Sequence, residues 1–149
     1  MMKLKLVNED KKRYIDLLLL ADEQENMIDQ YLERGDLYIF EEKQKLIGVC
    51  VVTKENEDIY EIKNMAVAPH LKRKGYGKKM IQLVEDFYKG RARKLQVGTG
   101  DSPLTIPFYQ ACGFHISHQI DDFFVKHYDR PIYEGGKQLI HMVILQKQL

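Results

Sequence analysis

No apolar run in this sequence approaches the roughly 20 residues that a membrane-crossing helix needs. The longest candidate, Ile15 to Ala21, is short and sits inside a charged helical pattern. The start, Met1-Met2-Lys3-Leu4-Lys5-Leu6, is basic but shows no apolar core or small-residue cleavage site of the kind an export signal carries. Cysteine is scarce too. Cys50 and Cys112 stand alone in apolar stretches without metal-ligand spacing, the habit of reduced, buried thiols. A cytoplasmic protein with no membrane partner and no bound metal is the expectation. Neither sign of charge dominates: 23 Lys and Arg face 22 Asp and Glu, for a net charge of +1. No global field therefore points to nucleic acid. Repeats, linkers and low-complexity tracts are also missing.

What is present fits one domain, residues 1–149, with one core. Hydrophobic residues make up 44% and charged residues 30%, the balance of a globular chain. The charges are segregated along the sequence. Asp22, Glu23, Glu25, Asp29, Glu33 and Asp36 face one Arg34, whereas Lys72, Arg73, Lys74, Lys78 and Lys79 come with no acid. Two halves of one site with opposite needs would look like this. Two solvated faces would look the same.

Periodicity places the elements. Lys3 to Val7 alternates as a strand, and Asn8 or Asp10 is placed to cap the helix carrying Tyr14, Leu17, Leu18 and Ala21. A second helical stretch, about Asp22 to Glu33, stops at Gly35. Strands follow at Leu37–Phe40, Leu46–Thr53 and Ile59–Val67, with Gly48 a bulge or close-approach point. Pro69 ends the third of these. Beyond Gly75 and Gly77 comes an amphipathic helix with Met80, Ile81, Val84, Phe87 and Tyr88 on one face, stopped by Gly90. A short strand at Leu95–Val97, a helix ending near Gly113, and strands at Phe114–Ile120 and Leu139–Leu145 complete the chain, with an irregular segment before the last. The order is β-α-α-β-β-β-α-β-α-β-β, an α/β domain on a mixed sheet.

The segment Lys72-Arg73-Lys74-Gly75-Tyr76-Gly77 invites a chemical explanation. A helix N-terminus is already positive, so cations there are unfavourable by a few tenths of a kcal/mol each, yet this helix begins with five cations within eight residues. A bound anion reverses that sign. Gly75 and Gly77 remove the Cβ atoms that would hold an anion off the free N–H groups. A solvated basic surface with turn glycines is the plainer alternative. The spacing fits neither the P-loop nor the dinucleotide fingerprint, which needs a third glycine where Met80 stands.

The run Ile62-Lys63-Asn64-Met65-Ala66-Val67-Ala68-Pro69-His70-Leu71-Lys72-Arg73-Lys74-Gly75-Tyr76-Gly77 resembles the coenzyme A motif of the GNAT N-acetyltransferases. That motif is a strand ending in Val-x-Pro, then Arg/Gln-x-x-Gly-x-Gly/Ala, then a helix. Tyr109-Gln110-Ala111-Cys112-Gly113-Phe114 is similar to the family's Tyr-x-x-x-Gly-Phe signature. The one departure is Lys72, where the family has Arg or Gln. The resemblance spans nearly the whole chain and implies the GNAT fold, a mixed and mostly antiparallel sheet of roughly six or seven strands with about four helices. It implies acetyl-CoA as co-substrate and transfer to a primary amine by direct attack in a ternary complex; a small-molecule acceptor is the expectation, with peptide N-termini and protein lysines the alternatives that the same fold uses.

The resemblance also assigns residues. Met65, Ala66 and Val67 would hold the pantetheine by their backbone, and Lys72, Arg73, Lys74, Gly75, Tyr76, Gly77 and Lys78 the pyrophosphate. Glu61 aligns with the strand glutamate that serves as general base in part of the family. It lies four residues before Met65, so unbroken alternation puts both on one face. Tyr109 matches the tyrosine that protonates the departing thiolate, a role suited to a phenol protonated at neutral pH. A solvent-facing strand glutamate and a core tyrosine are the bland alternatives. Pro107, two residues before Tyr109, either begins that helix or kinks it. Asp101 and Ser102 fall where the family has a cofactor-touching asparagine, though Ser102-Pro103 is also a good cap.

Other candidates stay open. His115 and His118 have His-x-x-His spacing, but strand alternation sets them on opposite faces, against a shared metal. The acidic Asp22–Glu33 segment occupies the place of the acceptor wall, where it would favour a cationic amine. Asp121, Asp122, Phe123, Phe124, His127 and Tyr128 would line the acceptor site or a homodimer contact. A non-catalytic acyl-CoA sensor is the competing function, and a nucleotide-binding regulatory domain is disfavoured by the failed motifs.

Overall fold

A computed structural model describes residues 1–149. Its centre is a seven-stranded sheet in the order β1-β2-β3-β4-β5-β9-β6. The strands of its first half are β1 (Lys3–Val7), β2 (Asp36–Glu42), β3 (Lys45–Lys54) and β4 (Ile59–Val67), each antiparallel to the next. The β2–β3 hairpin closes at Lys43-Gln44, where both residues take positive φ (53° and 65°), the conformation a two-residue turn with matching twist demands. β4 then runs parallel to β5 (Lys94–Gly100), and β5, β9 (Met142–Gln148) and β6 (His115–Ile120) are antiparallel.

Helices cover both faces because the inner strands are apolar on both. β3 is buried from Ile47 to Thr53. On one face α1 (Ile15–Ala21) and α2 (Glu25–Leu32) lay Leu18, Ile28, Tyr31 and Leu32 on Leu37, Ile39, Val49, Val51 and Ala66. Full burial of one such leucine stabilises the fold by about 1.5–3 kcal/mol. On the other face α3 (Tyr76–Tyr88) and α4 (Thr105–Ala111) set Met80, Ile81, Val84 and Tyr109 on Phe40, Cys50, Ile62, Leu95 and Leu145. Gly48 is a close-approach point, since a Cβ there would run into the Ala66 carbonyl and come within 2.8 Å of the Met80 side chain.

Local details depart from periodicity in instructive ways. Asp10 precedes the first helical turn but sits in the left-handed region and makes no capping bond, so the chain enters α1 through a 3₁₀ turn, Lys11–Tyr14. Lys11 instead closes the far end of α2, donating to the carbonyls of Leu32 and Gly35 at 2.9 Å each. The irregular segment before the last strand holds a short helix, α5 (Phe123–His127), and a two-stranded hairpin, β7 (Tyr133–Glu134) with β8 (Lys137–Gln138). Gly135 and Gly136, both at positive φ, form its turn. Helix α4 begins at Thr105, so Pro107 neither starts nor kinks it. At the third helical position its missing N–H would have had no intrahelical partner.

Bulges alter the alternation. Between Val51 and Val52 the β3–β4 register slips, leaving Lys63 as the extra residue on β4. Tyr60 and Ile62 face α3, and so do Met65 and Val67, whereas Asn64 and Ala66 face α1 and α2. Glu61 therefore lies on the face opposite Met65, contrary to unbroken alternation. A second slip leaves Ser117 unpaired between Ile116 and His118. It returns His115 and His118, opposite Gln146 and Ile144, to the same face. No third ligand joins them, because no group of three or more His, Cys, Asp or Glu is arranged to hold a metal.

Candidate active site

The site begins where two strands part. β4 and β5 pair only from Ile59 with Lys94 to Ile62 with Val97. Beyond that the strands diverge, and the β4 edge from Lys63 to Val67 faces β5 without a strand partner. The opening is a cleft of about 1260 Å³, more than the roughly 300–1,000 Å³ that serves one small ligand.

The half expected to take the donor lies on the α3 and α4 side. Met65, Ala66, Val67, Lys72, Arg73, Gly75, Tyr76, Gly77 and Lys78 all line the cleft, whereas Lys74 does not. Gly75, at φ 82°, is the N-cap of α3, and no side chain caps that helix. Its first-turn N–H groups therefore remain open to an anion. Arg73 holds φ 64°, an unusual conformation for a residue with a Cβ and of the kind that concentrates at ligand sites. A Cβ on Gly77 would press on the Phe108 ring at 3.2 Å, so glycine lets α3 approach α4. Ser102 lies in the turn before α4, whose N-cap is Leu104, and its hydroxyl accepts bonds from the N–H groups of Leu104 (3.0 Å) and Thr105 (3.3 Å). Asp101 accepts from the Ile140 N–H at 2.9 Å and ties the last loop down.

Tyr109 stands between the halves. It is 7% exposed, lines the cleft, and is boxed edge-on by Phe108 and Phe114. Burial raises its pKa well above the ordinary tyrosine value, with Cys50 and Cys112 adding to the effect. The phenol stays protonated across the neutral range.

The half expected to take the acceptor lies on the α1 and α2 side and is acidic. Glu61, 6% exposed, receives a bond from Gln96 and an ion pair from Lys63 at 2.7 Å. Gln96 in turn accepts from Gln146 at 2.7 Å. Lys63, brought inward at the bulge, also faces Glu55 at 3.8 Å, and Arg34 faces the same carboxylate at 3.3 Å. Burial pushes the Glu55 carboxyl up, but the Thr53 hydroxyl, Lys63 and Arg34 together hold it below the usual value.

Across from them, the Asp22 carboxylate accepts from the hydroxyls of Tyr31 (2.9 Å) and Tyr128 (2.7 Å). Burial raises its pKa, and those two bonds only partly offset it. Asp129 N–H donates to Gln24 at 2.9 Å and Arg130 pairs with Glu23 at 3.6 Å. Residues 128–130 thus strap the cleft to residues 22–24.

Several of these residues escape periodicity. Of the acidic segment only Asp22 and Glu23 reach the cleft, while Glu25 and Asp29 pair with Lys12 outside it. From the aromatic cluster Phe123, Phe124 and Tyr128 line the cleft. Lys63 and Gln96 carry no sequence signal beyond lying in strands, because a bulge and a cross-strand pairing bring them to Glu61.

Residues 5–114, with the basic glycine loop at the cleft's donor end, match the model of the acetyltransferase (GNAT) family. The chain belongs to the GNAT acetyltransferases. A GNAT relative, the uncharacterized N-acetyltransferase YvbK of Bacillus subtilis strain 168, is 39% identical over 150 residues, covering 99% of this chain and 97% of its own. Among solved structures, a GNAT acetyltransferase of Elizabethkingia anophelis with acetyl-CoA bound superposes with a TM-score of 0.93 at 33% identity, covering 99% of this chain and 98% of the other. A Bacillus subtilis acetyltransferase in complex with CoA gives 0.89 at 38% identity, over 100% and 99% of the two chains. The GNAT fold expected from the motifs is the fold observed.

Proposed function

We propose that this GNAT protein transfers acetyl from acetyl-CoA to a primary amine of a small-molecule acceptor, both substrates being bound in the cleft together. The observation that carries the proposal is the division of one cleft. Lys72, Arg73 and Lys78 line its donor end without an acid, while Asp22, Glu23, Glu55, Glu61 and Glu134 line the rest against Arg34 and Lys63. An anionic cofactor and a cationic amine have these opposite needs.

In this reading the α3 N–H groups and the lysines hold the pyrophosphate, and the free β4 edge at Met65 to Val67 pairs with the pantetheine. The thioester then lies in the splay. The amine, losing a proton to Glu61 directly or through water, attacks the thioester carbonyl. A backbone N–H at the splay stabilises the oxyanion. The C–N bond forms, the C–S bond breaks, and Tyr109 returns a proton to the thiolate. The face reversal at Lys63 supports the base assignment, since Glu61 sits on the acceptor side.

The test is CoA thiol release with a panel of small amines, with the acetylated amine identified by mass. Tight CoA binding without release for any amine favours the acyl-CoA sensor instead. Competition by ATP but not CoA would overturn both.

A further inference from the structure

Of the five carboxylates on the acceptor half, three have cations, while Glu134, in the β7–β8 hairpin, and Asp22 have none. Glu55 faces Arg34 and Lys63, Glu61 faces Lys63, and Glu23 faces Arg130. Asp22 has only neutral donors, the hydroxyls of Tyr31 and Tyr128 and the backbone N–H of Gln24. A half-buried carboxylate without a positive partner is costly unless something supplies the charge. The corner around it is rich in acceptors and aromatic faces. Asn64 is 3% exposed and lines the cleft. Its amide nitrogen is committed to the Leu18 carbonyl (2.9 Å) and the Tyr31 hydroxyl (3.1 Å), and its Oδ1 has no partner. Phe123, Phe124, Tyr31 and Tyr128 complete the wall, with Tyr128 stacked on Phe124 at 5.2 Å.

An ammonium group matches this corner. It carries donors and no acceptor, it is favoured over aromatic faces, and it would balance Asp22. The two tyrosine bonds and the Gln24 N–H use only part of a carboxylate's roughly four lone-pair sites, so room for one more donor remains. The corner is also separate from the reacting centre. Glu61 is bonded to Gln96 and Lys63 on the sheet floor, and it shares no hydrogen-bond partner with Asp22. We propose that Asp22, framed by Tyr31, Tyr128 and Phe123, seats a second, non-reacting ammonium of the acceptor, so that the acceptor is a diamine-class molecule. One amine reacts beside Glu61 and the other is held on Asp22. The inference rests on the amine-acetylation reading and specifies its substrate class.

The experiment compares α,ω-diamines of four to eight carbons with n-alkylamines of the same lengths. At the best length the diamine should exceed its monoamine in kcat/KM by about tenfold or more. In Asp22→Asn that ratio should fall to near one, while Asp22→Glu, which keeps the charge, should restore most of it. Equal use of diamines and monoamines overturns the proposal, and so does equal loss of the ratio in both variants, which would mark Asp22 as structural. Equilibrium binding of the diamines to the CoA-saturated protein separates this from failure of the catalytic reading. Diamine binding that weakens in Asp22→Asn, without turnover, supports the ammonium site and sinks the enzyme; no diamine binding at all sinks the site.

Discussion

The two halves of the cleft are built by different means. The donor half comes almost entirely from residues 65–78, one continuous strand-turn-helix, and it offers backbone: a free strand edge and an uncapped helix N-terminus. The half expected to take the acceptor draws side chains from α1–α2, the β3–β4 turn, β4, β5, β6, α5, β7 and β9, separated by up to about a hundred residues in sequence, as Tyr128 and Asp22 illustrate. Backbone recognition tolerates substitution such as lysine at position 72. Recognition by converging side chains does not, so acceptor choice can diverge while cofactor use is retained.

The largest effect that would test this contrast is Tyr109→Phe. Removing the proton donor should lower kcat about 100-fold or more with KM for acetyl-CoA unchanged in steady-state assays. A kcat within twofold of the parent would take Tyr109 out of the chemistry and leave it as core. Glu61→Gln should lower kcat by up to about 100-fold and flatten the rise of rate from acid to neutral pH. An unchanged pH profile would assign the proton to a water chain instead.

A smaller effect is expected from Gly75→Val. A β-branched residue at φ 82° costs about 1–2 kcal/mol, and calorimetry should show CoA affinity falling about tenfold while the acceptor half is untouched. Undiminished CoA affinity would mean that the side-chain cations, not the helix start, hold the anion.

The smallest concerns Asp22 and pH. Its pKa is raised in the folded state by burial, so over the window between its ordinary and raised values the folded state holds more protons than the unfolded. Stability should therefore fall as pH rises through that window. Asp22→Asn should remove that component from urea-melt stabilities, and an identical pH slope in both proteins would mean that the carboxylate is solvated after all.

The fold was legible because long elements carry their period openly: Met80, Ile81, Val84 and Tyr88 face the sheet as spacing demands. The loop was legible because Gly75 and Gly77 with five cations at a helix start make an unfavourable arrangement that a bound anion would reverse. Alternation misled at Lys63 and Ser117, since one extra residue reverses every side chain beyond it. α5 and the β7–β8 hairpin were missed because elements of five and two residues are too short to show a period.

By itself, the sequence determined the strand, glycine turn and basic helix start, which are local, and their resemblance to the GNAT motif named the expected donor. Only the tertiary structure decided which face Glu61 occupies, that Lys63 holds it, and that Asp22 is left without a cation. Each of these depends on register and on pairing between distant segments. Such pairing is set by the packing of the whole domain, and no local pattern encodes it.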